Sequence, residues 1–175
     1  MLQRENQPSA NSPYPRRGMR LPDLAFDDLF GRPVQLSDYR ARRNLALILA
    51  GDSESAAHLP LLADLARRYP EFAGQETQVL VVVAASREQA QSMASQLPFP
   101  VLLDPDSRAH RALAGSDADG RVATAVYVTD RYGEVFAAFR SAEGLPLPDA
   151  GEILKWLEFV NIQCEECFPP EWPPV

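Results

Sequence analysis

The chain has 175 residues, of which 46% are hydrophobic, and this predicts one globular domain with a buried core. Its 24 acidic residues outnumber 17 lysines and arginines, and the net charge of -7 argues against attraction to nucleic acid or anionic lipid. No apolar run reaches the length of about 20 residues that crosses a bilayer, and the N-terminus lacks the apolar segment of a signal peptide. We therefore expect a cytoplasmic protein, with a protein partner or a homodimer as the candidate assembly and no membrane contact.

Residues 1–20 are rich in Pro, Ser, Asn and Arg with little to bury, and this composition predicts a mobile arm. Residues 21–161 are the predicted domain, and residues 162–175 form a tail. The first half of the domain predicts, in chain order, a Gly turn with a short strand in "FGRPVQLSDYR", a buried strand at Leu45–Ala50, a helix at Leu59–Phe72, a strand in "TQVLVVVAA" and a helix from Ser86 to about Gln96.

The second half predicts a strand at Val101–Leu103, a turn at Asp104 and Pro105, a short helix "SRAHRAL" ended by Gly115, strands at Val122–Thr129 and Glu134–Arg140 around the turn "DRYG", and a last helix. His110, between two arginines of the short helix, is predicted to be a surface residue. Strands that alternate with helices, followed by a hairpin and a helix, predict an α/β sandwich whose mixed central sheet has helices on both faces.

Three positions predict where helices begin. Ser86 and Gln89 have the spacing of a capping box, in which each side chain satisfies a free N–H of the first turn. Asp149 is the predicted N-cap of the last helix. Pro60 is predicted in the first turn of its helix, because proline lacks the N–H that an interior helical residue donates.

A loop of small and acidic residues lies between the strand that ends at Ala50 and the helix that follows. Its polar side chains are those of Asp52, Ser53, Glu54, Ser55 and His58. Ser55 with His58 has the spacing of a nucleophile and its base, but no orienting carboxylate is identified, and the alternative is that Ser53 or Ser55 caps the helix. Carboxylates near a helix N-terminus stabilise it by about 0.3 to 1 kcal/mol, which accounts for Asp52 and Glu54.

The tail "IQCEECFPPEWPPV" contains both cysteines, Cys164 and Cys167. Their C-x-x-C spacing allows a disulfide, slow thiol exchange or two metal ligands, while the tail could equally be a structural or docking segment with reduced thiols. The helix C-terminus before them and the glutamates around them disfavour thiolates. Two cysteines are too few for a closed zinc site, so zinc is expected only if it is shared between chains, and no other cofactor is predicted.

Three stretches in register resemble one family. "LPDLAFDDLFGRPVQLSDYRARRNLALIL" is similar to the opening of the peroxiredoxin-like proteins, the alkyl hydroperoxide reductase and thiol-specific antioxidant (redoxin) branch of the thioredoxin fold. "PFPVLLDPD" and "AVYVTDRYGEV" resemble two later stretches of that family in the same order. The resemblance covers about residues 21 to 160 and implies that the α/β sandwich is thioredoxin-like.

The resemblance also implies a reaction that this chain lacks the residue to perform. In the family, a cysteine thiolate at the start of the helix after the Asn44 to Ala50 strand attacks the peroxide oxygen. That position falls on Ser55 or a neighbour, with His58 at the second cysteine position of some relatives. An alcohol cannot replace the thiolate, because it keeps its proton and lacks the oxidation states of sulfur.

The expected active-site loop is therefore degenerate, and no catalytic residue is assigned. The leading hypothesis is a peroxiredoxin-like protein without the peroxidatic cysteine, acting as a binding, regulatory or structural member of a redox-related system. The alternative is a thiol-disulfide oxidoreductase or antioxidant that works through Cys164 and Cys167. A copper chaperone is disfavoured, because the loop has no cysteines to bind copper.

Overall fold

The structure is a computed structural model that describes residues 13–51, 59–144 and 146–163. Within these ranges seven strands form one mixed sheet: β1 Ala25–Asp27, β2 Pro33–Gln35, β3 Asn44–Ala50, β4 Thr77–Val83, β5 Val101–Leu103, β6 Ala125–Thr129 and β7 Val135–Arg140. The described helices are α1 Pro60–Arg67, α2 Tyr69–Gly74, α3 Arg87–Ala94, α4 Arg108–Leu113 and α5 Ala150–Asn161. Short 3₁₀ turns occupy Leu36–Tyr39 and Ser141–Glu143.

The strand order is β2-β1-β5-β4-β3-β6-β7, and β5, β4 and β3 are parallel. Their pairing places Ala50, Val83 and Leu103 in one row, so the three parallel strands end together. The antiparallel strand β6 starts beside the end of β3, where Ala125 pairs with Leu49. We call this side of the sheet the carboxyl edge, and the opposite side, where β3 begins at Asn44, the amino edge.

Alternating residues of the strands fill two cores, one on each face of the sheet. On the first face, Ile48 and Val81 pack with side chains of α1, α3 and α5. On the second face, Leu47 and Tyr127 pack with α4 and with the segment around Leu21. Since a central parallel strand is covered on both sides, all seven residues of β3 are buried. The predicted α/β sandwich with a mixed sheet covered on both faces is confirmed.

The predicted helix at Leu59–Phe72 is two helices that meet at Arg68. Pro70 is the reason, because its ring nitrogen has no proton to donate to the carbonyl of Ala66 and its ring would crowd that carbonyl. In the second helix Pro70 stands in the first turn, where no such bond is required. Arg68 bonds both carboxylate oxygens of Glu71 at 2.8 Å across the start of that helix.

The predicted mobile arm is wrong for residues 13–20, which are bonded to the domain. Gly18 donates to the carbonyl of Val135 at 2.9 Å, and Val135 donates back to Met19 at 2.8 Å, so the segment pairs with the start of the edge strand β7. The guanidinium of Arg140 lies 4.9 Å from the centre of the Tyr14 ring and donates to the carbonyl of Pro15. The domain therefore includes residues from 13 onward.

The helix starts predicted from capping patterns are confirmed. Ser86 and Gln89 form the predicted capping box, and the side chain of Asp149 accepts from the N–H of Glu152. Pro60 is the first residue of α1. Among the described helices, none has both the length and the apolar character needed to cross a membrane.

Candidate functional site at the carboxyl edge

His110 is fully buried, so its predicted surface position is wrong. Its Nδ1 lies 2.8 Å from Oδ2 of Asp104, and its Nε2 lies 2.8 Å from the carbonyl oxygen of Ala50. Asp104 follows β5, Ala50 ends β3, and β4 lies between these strands in the sheet. The imidazole thus spans the end of β4 and joins its two neighbours, which stand about 10 Å apart at the usual strand spacing.

Asp104 holds this arrangement in place by accepting several hydrogen bonds. Its carboxylate accepts from the backbone N–H groups of Arg108 and His110, each at 3.0 Å, in addition to the imidazole. Its own N–H donates to the carbonyl of Val83 at 2.9 Å, which ties in the end of β4. Ser107, the residue before α4, has a left-handed φ of 53° and makes no side-chain cap, so Asp104 caps α4 in its place.

The charge of Asp104 follows from these partners. Burial raises the pKa of its carboxyl group, but the hydrogen bonds from the side chain and backbone of His110 and the attraction of that ring outweigh burial and hold the pKa below the ordinary value. An ionised carboxylate accepts only, and the Ala50 carbonyl also accepts only. The form of His110 that satisfies both is the imidazolium, which donates from both ring nitrogens.

The end of β3 is also held from the β6 side. The N–H of Gly51 donates to Oγ1 of Thr124 at 3.0 Å. The backbone of Thr124 is itself fixed by two hydrogen bonds to Ser141. Its N–H donates to Oγ of Ser141 at 3.0 Å, and its carbonyl accepts from the N–H of Ser141 at 2.9 Å. A chain of polar contacts therefore crosses the carboxyl edge from Asp104 to Ser141.

Gly51 has a specific steric role at this point. A Cβ atom built on it would lie 2.6 Å from the carbonyl oxygen of Val122 and 3.1 Å from Oγ1 of Thr124. The first contact is shorter than real Cβ atoms show and is to rigid backbone, and the second is tighter than most real Cβ contacts. Only glycine lets the chain pass this close to the segment before β6 as it leaves the sheet.

The loop that the sequence singled out begins directly after this anchored residue. Its side chains Asp52, Ser53, Glu54, Ser55 and His58 lie outside the described residues, as do Cys164 and Cys167 of the tail. The residues that bound the loop are described: Gly51 is buried, and α1 begins at Pro60 with Leu59 as its N-cap. In the described ranges no three His, Cys, Asp or Glu side chains stand together as a metal site would require.

Sequence reasoning located the loop but missed the side chains that hold its base. The available signal for His110 was its position three residues before Leu113, which places both on one face of a helix. For Asp104 the signal was a carboxylate four residues before the first turn of a helix that has no other cap. Thr124 offers no comparable signal, and its Oγ1 accepts from the N–H of Gly51.

The chain leaves the domain toward the tail at the amino edge, on the other side of the sheet. Asn161, the last residue of α5, accepts from the side chain of Asn44 at 2.8 Å, and Gln163 follows it beside the same region. The seven residues of β3 separate the two edges by roughly 20 Å at about 3.3 Å per residue.

We predict that Asp104→Asn destabilises the fold by about 3 kcal/mol, because it removes the charge opposite a buried imidazolium. Urea unfolding of the purified variant measures this. Asp106→Asn is the matched control, since Asp106 is exposed, its carboxylate lies 3.9 Å from the guanidinium of the exposed Arg108, and the expected change is under about 0.5 kcal/mol. Equal losses in the two variants would contradict a special role for Asp104.

We predict that the stability advantage of the wild type over Asp104→Asn depends on pH in acid. The pKa of Asp104 is lowered by folding, so its contribution is fully present above the unfolded value of about 3.9 and is lost as pH falls through the lower folded value. The difference between the two unfolding free energies should be constant near about pH 5 and shrink toward about pH 3. A difference that grows as pH falls would contradict the assignment.

Comparison with solved structures finds the same fold in several peroxiredoxins. Mycobacterium bovis AhpC superposes with a TM-score of 0.71 at 18% identity, covering 87% of this chain and 97% of its own. Peroxidoxin BcpB from Mycobacterium tuberculosis gives 0.70 at 16% identity, covering 86% and 100%. Plasmodium yoelii thioredoxin peroxidase I gives 0.69 at 13% identity, covering 90% and 96%.

Sequence comparison gives the family. No curated protein sequence matches the chain. The AhpC/TSA family model matches residues 18–138, a stretch that includes all seven described strands except the last two residues of β7 and all the described helices except α5. Because this match covers more than half of the chain, and the fold agrees with it, the chain belongs to the AhpC/TSA family.

Proposed function

We propose that this chain is a member of the AhpC/TSA family that does not reduce peroxides and serves as a binding, regulatory or structural component of a redox-related system. The observation that carries the proposal is the placement of sulfur. The residues from Gly51 to Pro60 contain no cysteine, and both cysteines of the chain follow Gln163, which lies at the amino edge.

The chemistry of peroxide reduction makes this placement decisive. A thiolate sulfur attacks one peroxide oxygen, the O–O bond breaks, an alcohol or water leaves, and the sulfur is oxidised to a sulfenic acid. A second thiol then forms a disulfide and releases water. A serine hydroxyl keeps its proton near neutral pH and cannot take up the oxygen in this way, so Ser55 or a neighbour offers no substitute.

The tail cysteines are also too far from the family's site within one chain. Cys167 is four residues beyond Gln163, and four residues extend at most about 14 Å. The two edges of the sheet are roughly 20 Å apart along β3. With α5 in its observed place, neither thiol reaches the start of the loop at Gly51, which supports a role other than peroxidase.

The hydrogen bonds at the carboxyl edge support a binding or structural role over a catalytic one. The Ala50 carbonyl and the Gly51 N–H, which flank the start of the loop, are both engaged by buried side chains. These bonds fix the backbone from which the loop departs. A rigid base of this kind suits the presentation of a loop to a partner, since less conformational entropy is lost on binding.

We predict that the purified chain consumes hydrogen peroxide no faster than buffer with a thiol reductant, and that Cys164→Ser with Cys167→Ser changes nothing. Loss of peroxide is followed over time for both proteins. Plasmodium yoelii thioredoxin peroxidase I, assayed in parallel, gives the reference rate for a protein of the same fold.

Rapid peroxide loss by the wild type that disappears in the double serine variant would overturn the proposal. It would favour the alternative, a thiol-disulfide oxidoreductase that acts through Cys164 and Cys167. Rapid loss that persists without both cysteines would contradict both hypotheses, because the sequence offers no other thiol.

A further inference from the structure

A pocket of about 390 Å³ opens at the amino edge, between the end of α5 and the turn that joins β6 to β7. Its walls include Phe136 on β7, Phe159 on α5 and Tyr132 in the turn, and Arg17 and Gln163 also line it. We call it the Arg17 pocket. It lies across the sheet from the loop that follows Gly51, so it is separate from the candidate site described above.

Aromatic rings form the apolar part of the Arg17 pocket. Phe159 packs edge to face with Phe136 at 6.2 Å between ring centres and with Trp156 at 6.1 Å. Trp156 is buried, whereas Phe136 and Phe159 are only half-buried and keep part of their surface open to the pocket. Such rings are favourable contacts for another aromatic side chain.

Arg17 adds a cation that is held in position. Its guanidinium carbon lies 5.6 Å from the centre of the Trp156 ring and 5.4 Å from that of Phe159. The backbone around it is fixed by the hydrogen bonds that join Gly18 and Met19 to Val135. No described residue supplies a carboxylate or a hydrogen bond to this guanidinium, so the cation is positioned by the rings and available to an anion.

Several other polar residues of the pocket already have partners, and Glu134, which also lines the pocket, is among them. Asp130 accepts from the backbone N–H groups of Tyr132 and Glu134 at 2.9 Å each. Arg131 contacts Glu76 at 3.5 Å. The side chain of Gln163 donates to the carbonyl of Phe159. The chemistry left for an occupant is therefore aromatic surface together with one cation, which suits an acidic and aromatic peptide.

We propose that the occupant is the chain's own C-terminal tail, residues 164–175. The tail has three glutamates, Glu165, Glu166 and Glu171, no lysine or arginine, and two aromatic residues, Phe168 and Trp172. The tail begins directly after Gln163, which lines the pocket. One glutamate pairs with Arg17, and an aromatic side chain of the tail packs on Phe136 and Phe159.

Distance and entropy both favour this occupant over a separate molecule. Phe168 is five residues beyond Gln163, a reach of up to about 17 Å, which is enough to turn back across the pocket. Attachment to α5 gives the tail a high effective concentration at the pocket. The prolines at 169, 170, 173 and 174 limit the conformations of the free tail, so less entropy is lost when it docks.

The test uses the full chain with Trp156→Phe, which keeps an aromatic ring next to Arg17 and leaves Trp172 as the sole tryptophan. Quenching of its fluorescence by acrylamide reports how open the tail is to solvent. We predict that Arg17→Glu in this background raises the quenching constant about threefold, because a repelled carboxylate releases the tail. Arg87→Glu, which reverses an exposed charge at the start of α3, is the matched control and should change nothing.

A second variant tests the same contact by changing the tail instead of Arg17. Replacing Glu165, Glu166 and Glu171 with Gln should raise quenching to a similar degree, with thermal unfolding of the domain unchanged. Sedimentation identifies the oligomeric state of each sample. The proposal predicts protection of Trp172 in the monomer at every concentration.

Three results would overturn the proposal. First, acrylamide could quench Trp172 as strongly in the parent as in the urea-unfolded chain. The tail would then not be docked, and the pocket would belong to a separate partner. Protection that appears only in a dimer would assign the pocket to the tail of a second copy. Protection that survives both the Arg17 change and the three glutamine changes would show that Arg17 does not hold the tail.

Discussion

The arrangement of the carboxyl edge depends on one side chain, the imidazole of His110. Its two ring nitrogens lie 2.8 Å from Asp104 on one side and 2.8 Å from the Ala50 carbonyl on the other, and the ring so joins the ends of two parallel strands across the strand between them. A hydrogen bond between neutral groups contributes about 1 kcal/mol to stability, but those of a buried charged pair are stronger, and leaving one partner alone is costly. The edge is therefore held as a unit, and the loop after Gly51 departs from a backbone that is bonded on both sides.

This constraint bears on function because the family places its reactive cysteine on the segment that follows β3. The chain has β3, the helix that begins at Pro60, and between them Gly51, which lets the backbone pass close to the carbonyl of Val122. It has no sulfur there, and both cysteines follow Gln163 in the sequence. The lack of sulfur in residues 51–60 supports the proposed binding or regulatory role, and we propose the Arg17 pocket as the docking site of the tail.

Much of the fold could be predicted from the sequence, because hydrophobic periodicity, helix caps and turns depend on residues that are close together in the chain. The strands, the Ser86 and Asp149 caps and the first turn at Pro60 all follow from such signals. The break at Pro70 was predictable on the same grounds and was overlooked in favour of the apolar period. The site was harder: His110 is separated from Ala50 by 60 residues, and only the strand order brings them together. No local pattern states that a histidine between two arginines turns inward to meet a backbone carbonyl.

The protonation state of His110 tests this account most directly. The chain has two histidines, so the variant His58→Gln leaves His110 as the sole source of imidazole signals. Nitrogen-15 NMR near neutral pH distinguishes a ring nitrogen that carries a proton from one that does not. Both nitrogens of His110 are expected to carry protons that exchange slowly with water, since each faces a buried acceptor at 2.8 Å. A single protonated nitrogen would contradict this expectation, because one of the two contacts would then set a lone pair against an acceptor.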